Sequence, residues 1–224
     1  MEYKLKKNKN FILLFFGQLV SNLGQVFYTF AISWYILDLT GSAGSSGLYL
    51  AFGAIVAIIF TPLGGVISDR FNRAKIIYIT DYVRGFSILL AGLIIMYNGV
   101  INIGSFSLDL SSFSFKLIVL YINSFILSAN SALFGPAVSA IIPSIVPDEA
   151  LQKANASLQT QGSIVNIAGL VLAGALYSLI GVAAIFIING IAYIGSAISE
   201  MFIKIKEEER ERTLTLKIAF RDMK

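Results

Sequence analysis

Residues 65–75 read GVISDRFNRAK and separate two long apolar segments of the chain. Gly65 ends one apolar run, Asp69 follows one helical turn later, and three cations, Arg70, Arg73 and Lys75, come next. Because Gly65 and Asp69 are four residues apart, a helix places them on one face, where the glycine allows close backbone approach. A basic turn between apolar segments is typical of the cytoplasmic side of a membrane protein.

The composition places this chain in a lipid bilayer. Of its 224 residues, 56% are hydrophobic and 13% are charged, which is about half the charged share of soluble domains. The chain has no Cys and no His, so we expect no metal, no cofactor and no enzymatic activity. The net charge of +4 could suggest nucleic acid, but the basic residues lie beside apolar segments, where they orient a protein in lipid.

Hydrophobicity predicts an all-α protein with six transmembrane helices. We expect a cytoplasmic amino terminus at 1–10, a transmembrane domain at 11–203 and a cytoplasmic linker at 204–224. Each apolar run is long enough for a hydrocarbon core of about 30 Å. The predicted spans are 11–37, 47–67, 76–96, 117–142, 158–180 and 183–203.

The distribution of cations predicts the orientation. All but two of the 17 Lys and Arg residues, Arg84 and Lys116, fall in segments that six crossings place on the cytoplasmic side with both termini. The outer loop at 97–116 alternates polar and apolar residues, which indicates an extended or interface-lying segment. No function follows from that loop.

Polar side chains recur at helical spacing in two of the predicted spans. Gln18, Asn22 and Gln25 share one face of the first span, and Asn123 and Asn130 share one face of the fourth. Such a stripe in a membrane helix either bonds to neighbouring helices or faces water. Two stripes favour a shared aqueous cavity, so these five residues are candidates to line a solute path.

Charged and small residues inside the spans suggest further roles. Asp81 and Arg84 are three apart on one face of the third span, which favours a mutual ion pair with either a structural or a gating role. Glycines in the fifth span permit close helix approach and sliding: Gly162, Gly169 and Gly174. The sixth span has a polar stripe: Asn189, Tyr193, Ser196 and Glu200.

The stretch 65–75 resembles the signature Gly-x-x-x-Asp-Arg-x-Gly-Arg-(Arg/Lys)-(Arg/Lys) between helices 2 and 3 of major facilitator superfamily transporters. The positions that match are Gly65, Asp69, Arg70, Arg73 and Lys75. Asn72 stands at the Gly position and Ala74 at a basic position. An ordinary basic loop is the alternative, but the location between a second and a third span favours the signature. The resemblance implies that these residues form a gating motif.

A second resemblance indicates which branch of the superfamily this chain is similar to. Residues 133–147, LFGPAVSAIIPSIVP, and 151–156, LQKANA, are similar to bacterial macrolide-efflux and siderophore exporters. The resemblance implies the amino-terminal six-helix half of a transporter, built as a 3+3 inverted repeat with the polar stripes lining its cavity. It implies an antiporter in the bacterial plasma membrane that exports amphipathic small molecules by alternating access and contributes to multidrug resistance. It also implies proton coupling, although the fourth span lacks the Arg that many proton antiporters carry there.

The length of the chain raises an alternative. It stops in the linker that would lead to a seventh helix, so we expect either a fragment or a half-transporter that needs a second six-helix partner or a copy of itself. A truncated, non-transporting membrane protein is the competing function. The sequence has no clustered acids for metal chemistry and no Gly-rich nucleotide loop, which argues against an enzyme or an ATP-driven pump.

Overall fold

A computed structural model describes residues 4–97, 99–103 and 106–205. Within these ranges the chain forms a short 3₁₀ turn, five long helices and two strands. The turn is Leu5–Lys7, the helices are α1 (Lys9–Thr40), α2 (Ala43–Arg70), α3 (Arg73–Tyr97), α4 (Phe113–Ile145) and α5 (Asp148–Glu200), and the strands are β1 (Val100–Ile103) and β2 (Phe106–Asp109). All five helices are long and apolar enough to cross a membrane. The predicted linker at 204–224 lies, after Ile205, outside the described residues.

The first four helices extend beyond the predicted spans at both ends. All four begin at polar caps: Asn8 accepts a hydrogen bond from Phe11 N at 3.1 Å, Ser42 from Ser45 N at 3.4 Å, Asn72 from Lys75 N at 3.1 Å and Ser112 from Phe115 N at 3.3 Å. Hydrophobicity marks the apolar run alone, whereas the helix continues to the residue that can satisfy its terminal N–H groups. The predicted boundaries therefore fall inside the observed ones.

The fifth and sixth predicted spans lie in the single element α5, which is interrupted at Gly181. The backbone of Gly181 has φ 73° and ψ 173°, a conformation that is accessible essentially to glycine alone. Before Gly181, contacts with α1 follow rising numbers on both helices: Phe15–Gln161, Val26–Gly169 and Asp38–Tyr177. After Gly181 the order is opposite: Gly24–Asn189, Ser21–Tyr193 and Gly17–Ser196. The chain therefore reverses direction at Gly181.

The helices pack in pairs around α1 and α3. Both α1 and α3 contact α5, α3 also contacts α4, and α2 contacts α4 and α1. Two apolar clusters form the core: one includes Leu14, Ile77 and Ile141, the other Ile36, Ile88, Leu120 and Phe186. In α1 and α3, the buried polar residues fall between the stretches that supply these clusters. The bundle therefore has a polar layer between two apolar ones.

The loop after α3 forms a β-hairpin. Strands β1 and β2 are antiparallel, with Val100 opposite Asp109, in keeping with the alternating pattern of the sequence. Asp109 accepts hydrogen bonds from the hydroxyl and the backbone N–H of Ser111, at 2.5 and 2.9 Å. These two bonds stabilise the carboxylate and lower the pKa of Asp109.

Candidate functional site

A buried ion pair lies in the polar layer. Arg84 Nη1 donates to Asp81 Oδ1 at 3.1 Å, and the two side chains are 5% and 0% exposed. Asp81 also accepts from Ser21 Oγ of α1 at 2.5 Å, while Arg84 Nη2 donates to Ser131 Oγ of α4 at 3.2 Å. The guanidinium lies 4.2 Å from the centre of the Phe134 ring. The pair therefore connects α3 to both α1 and α4.

A second buried carboxyl group packs against Gly17 of α1. Glu200, near the end of α5, is 0% exposed, and neither of its side-chain oxygens has a hydrogen-bond partner in the described part of the chain. One turn earlier, Ser196 Oγ donates to Gly17 O at 3.1 Å and lies 3.5 Å from Ser21 Oγ. The polar stripe predicted in the sixth span therefore faces α1, with all four of its members buried.

A chain of hydrogen bonds joins the helices α1, α2, α3 and α4. Tyr28 of α1 donates to Asn123 Oδ1 of α4 at 2.6 Å, and Asn123 Nδ2 donates to Ser87 Oγ of α3 at 2.6 Å. The hydroxyl of Tyr49 on α2 lies 2.7 Å from that of Tyr28. Because Tyr28 gives its only proton to Asn123, Tyr49 is the donor between the two tyrosines. The bonds thus run from Tyr49 through Tyr28 and Asn123 to Ser87.

A cavity of about 160 Å³ lies between α1, α2 and α4 beside the two tyrosines. It extends from the exposed side chain of Gln25 to the buried rings of Tyr28 and Tyr49. Most of its polar lining consists of hydroxyl groups, from Tyr28, Thr29, Tyr49, Ser124, Ser128 and Ser131. Such a lining offers hydrogen-bond donors and acceptors without charge.

The five candidate path residues have different surroundings. Gln25 lines the cavity. Asn123 does not line it, but it is buried and accepts a hydrogen bond from Tyr28, which does. Asn130 donates to Ile126 O of its own helix at 2.7 Å. Gln18 is 8% exposed, whereas Asn22 is partly exposed, and neither lines this cavity. The sequence did not single out Tyr28 or Tyr49, although Tyr28 follows Gln25 by three residues and so shares its helix face.

The residues of the predicted gating motif have different surroundings. Asp69 is exposed, and a Cβ atom added at Gly65 would meet no atom of the described chain within 4 Å. Arg73 Nη1 instead donates to Ala140 O at 2.7 Å and to Ser144 Oγ at 3.1 Å, near the end of α4. Arg70 is the last residue of α2, and Lys75 is exposed in the first turn of α3. Gly65 and Asp69 thus lie on the open side of α2, while Arg73 joins the start of α3 to α4.

The three predicted packing glycines also differ. A Cβ atom at Gly169 would lie 3.0 Å from Val26 and one at Gly174 would lie 3.4 Å from Phe30, both on α1. At Gly162 it would meet nothing in the described chain within 4 Å, so Gly162 does not take part in a close helix contact here. Tighter approaches occur at glycines outside the predicted set: Gly64 against α4 and Gly85 against Gly190.

The fold and this polar interior define a multi-pass helical membrane protein. The sequence profile of the Major Facilitator Superfamily matches residues 14–220, and the chain belongs to this superfamily.

Two curated proteins are similar to this chain. The uncharacterized MFS-type transporter YkuC of Bacillus subtilis is 27% identical over 92% of this chain and 44% of its own length. Macrolide efflux protein A of Streptococcus pyogenes is 29% identical over 90% of this chain and 47% of its own length. This chain therefore spans about half the length of the curated relatives that it matches.

A solved structure has the same fold. It is a bacterial homologue of the iron transporter ferroportin, in an outward-facing state with soaked iron, and it aligns with a TM-score of 0.66 at 22% identity. The alignment covers 86% of this chain and 48% of that one. At this identity the likeness concerns the fold alone.

Proposed function

We propose that this chain is a six-helix half of a secondary active transporter that exports amphipathic small molecules by alternating access. The observation that carries the proposal is the hydroxyl-lined cavity between α1, α2 and α4, inside helices that are otherwise apolar. Polar groups inside a membrane domain are energetically costly unless they form hydrogen bonds with one another or with a solute. The similarity to a macrolide efflux protein supports export and suggests a drug-like, macrolide-like or siderophore-like substrate.

In this proposal the chain crosses the membrane six times as a 3+3 inverted repeat. The reversal of direction at Gly181 supports two crossings within α5. Both termini and the turn from Arg70 to Lys75 lie in the cytoplasm of a bacterial cell, which the positions of the cations support.

A second six-helix half, on the same polypeptide or on another, docks against the open side of α2. Large apolar side chains are strongly exposed along this helix: Leu48, Ile55, Ile58 and Ile59 are 57–71% exposed. Gly65 and Asp69 lie at the cytoplasmic end of the same helix. There the glycine admits a helix of the second half and Asp69 holds the outward-facing state closed on the cytoplasmic side.

The solute follows the polar faces of α1 and α4. Gln25 contacts it directly at the cavity, and Asn123 holds Tyr28 in position. Gln18, Asn22 and Asn130 contribute to the path nearer the cytoplasm, in a conformation that exposes them.

Export is driven by proton antiport in this proposal. Asp81 and Glu200 are the candidate groups because both carboxyls are buried and Asp81 is paired with Arg84. Dissipating the proton gradient with an ionophore should stop export, and export that continues would remove proton coupling from the proposal while leaving transport intact.

Uptake of a radiolabelled macrolide by everted membrane vesicles tests the function. Vesicles that contain this chain together with its second half should accumulate the macrolide, and Asp69→Asn should abolish uptake without loss of protein from the membrane. Asp148→Asn is the matched control, an exposed acid at the start of α5 on the same proposed side. No uptake by the unmodified protein would favour a non-transporting membrane protein.

A further inference from the structure

The lining of the cavity has hydroxyl groups and no charged side chain in the described chain. Since the guanidinium behind Ser131 is already paired with Asp81, a charged group bound in the cavity would contact no free counter-ion among the described residues of the lining. Burying an unpaired charge costs far more than burying a hydroxyl or carbonyl group that forms hydrogen bonds. At about 160 Å³, the cavity is smaller than the roughly 300–1,000 Å³ of sites that enclose drug-sized ligands. It therefore suits an uncharged, ring-sized part of a molecule.

Aromatic packing fixes the two tyrosines that line the cavity. The ring of Tyr28 stacks on Phe186, with centroids 4.9 Å apart, and the ring of Tyr49 meets Tyr121 edge-on at 5.5 Å. Both rings are therefore held in place before any ligand arrives. Rigid aromatic walls with hydroxyl groups favour a ligand that combines a ring with an oxygen acceptor or a hydroxyl.

Ser131 connects this cavity to the buried ion pair. Its side chain lines the cavity, and its hydroxyl oxygen accepts the 3.2 Å hydrogen bond from Arg84 Nη2. A serine hydroxyl has one proton and two lone pairs, so a bond accepted from Arg84 leaves the proton available to a ligand oxygen. A hydroxyl polarised by a guanidinium is also the stronger donor, because adjacent hydrogen bonds reinforce one another.

We propose that the cavity binds an uncharged, hydrogen-bonding ring of the transported molecule and that Ser131 transmits its occupancy to the Asp81–Arg84 pair. Ser131 is thus a positioning residue between the ligand and the pair. The proposal rests on the proposed function for the identity of the ligand as a transported solute, whereas binding itself is a property of this chain.

Ser128 provides the matched control for Ser131. It lies one helical turn earlier on α4 and lines the same cavity. Arg84 donates to Ser131 and not to Ser128. Removing either hydroxyl takes one hydrogen-bonding group from the cavity, but only the change at Ser131 also alters the surroundings of Arg84.

The first experiment measures binding to the purified chain in lipid nanodiscs, with protein-free nanodiscs to subtract partition into lipid. The probes share a naphthalene ring: 2-naphthol is neutral, 2-naphthalenesulfonate is an anion and 2-naphthylmethylammonium is a cation. We expect the neutral probe to bind at least about tenfold more tightly than either ion. Equal or tighter binding of a charged probe overturns the proposed chemistry of the cavity.

The second experiment is a pair of double-mutant cycles on the dissociation constant of 2-naphthol. Ser131→Ala should weaken binding about fivefold to tenfold, the loss expected for one hydrogen bond from a polarised donor. Its effect should be less than additive with that of Arg84→Lys, while Ser128→Ala and Arg84→Lys should be additive. Additivity in the Ser131 cycle overturns the link to the ion pair. If Arg84→Lys does not fold, the neutral pair Asp81→Asn with Arg84→Gln takes its place in both cycles.

These outcomes are separate from those of the vesicle assay. Macrolide uptake without selective binding of 2-naphthol would sink the inference and leave the proposed function standing. Selective binding of 2-naphthol without macrolide uptake would leave the inference about the cavity standing and contradict the proposed function.

Discussion

Gly64 of α2 packs directly against the backbone carbonyl of Ala132 on α4, and a Cβ atom at Gly64 would overlap that carbonyl. Pro136 lies four residues after Ala132 and has no N–H, so the carbonyl of Ala132 lacks the usual i+4 donor of an α-helix. The glycine and the proline together therefore let α2 approach α4 at the place where α4 exposes its backbone.

This relationship predicts opposite effects at two adjacent glycines. Gly64→Ala should lower the free energy of unfolding by about 1–3 kcal/mol, because backbone atoms of α4 would have to move. Gly65→Ala should leave stability unchanged or slightly raised, since its added Cβ meets nothing in the described chain and alanine favours helix. Unfolding of the purified variants in detergent checks both, and equal losses would show that α2 is not packed on α4 as described.

The buried ion pair predicts that removing one of its charges lowers stability more than removing both. Arg84→Ala should cost about 3–5 kcal/mol of stability, because Asp81 would remain buried without its partner. Replacing both residues, Asp81→Asn with Arg84→Gln, should cost less. Lys75→Ala, at an exposed cation of α3, serves as the control and should change stability by less than about 0.5 kcal/mol. A double variant as unstable as Arg84→Ala would argue against this reasoning.

The tyrosine chain predicts a measurable loss from one hydroxyl. Tyr28→Phe removes the donor to Asn123 and the acceptor for Tyr49 in a buried place, so we expect a loss of about 1–3 kcal/mol. Tyr97→Phe, at a side chain that is 57% exposed, should be nearly neutral in the same unfolding measurement. Both variants remove one tyrosine hydroxyl, so the difference between them reports the effect of burial.

The proposed topology predicts the reactivity of single cysteines, for which this chain is well suited because it has no native Cys. Ser42→Cys and Ser178→Cys should react with a membrane-impermeant maleimide on intact cells. Lys75→Cys and Asp148→Cys should react only after the cells are permeabilised. If Ser178→Cys and Asp148→Cys reacted from the same side, the first part of α5 would not cross the membrane.

Much of the fold could be predicted from hydrophobicity and glycine. The apolar runs correspond to α1 to α4, and the turn expected between the last two spans coincides with the break at Gly181. The helix ends could not be predicted from the apolar runs, because capping residues such as Asn8 and Ser112 decide where a helix begins. The extension of each helix past its apolar run follows from that.

The candidate site could be predicted less completely. Spacing alone brings Asp81 to Arg84, but the bonds to Ser21 and Ser131 depend on how α1, α3 and α4 pack. Tyr28 and Tyr49 each have an apolar ring and a polar hydroxyl, so they do not stand out as polar residues in an apolar segment. Only the packing of α1 on α2 brings their hydroxyls together. Gly162 shows the converse, because a small residue at the right spacing makes a close contact only where another helix lies beside it.

The proposed function depends most on whether the cavity beside Gln25 belongs to a water-accessible path through the membrane. The direct measurement is the reaction of Gln25→Cys with a small, water-soluble thiol reagent in membranes, compared with Leu90→Cys on the exposed apolar face of α3. We predict that Gln25→Cys reacts much faster than Leu90→Cys and that a bound macrolide slows the reaction. Equal, slow reaction at both positions would contradict a solute path at this cavity.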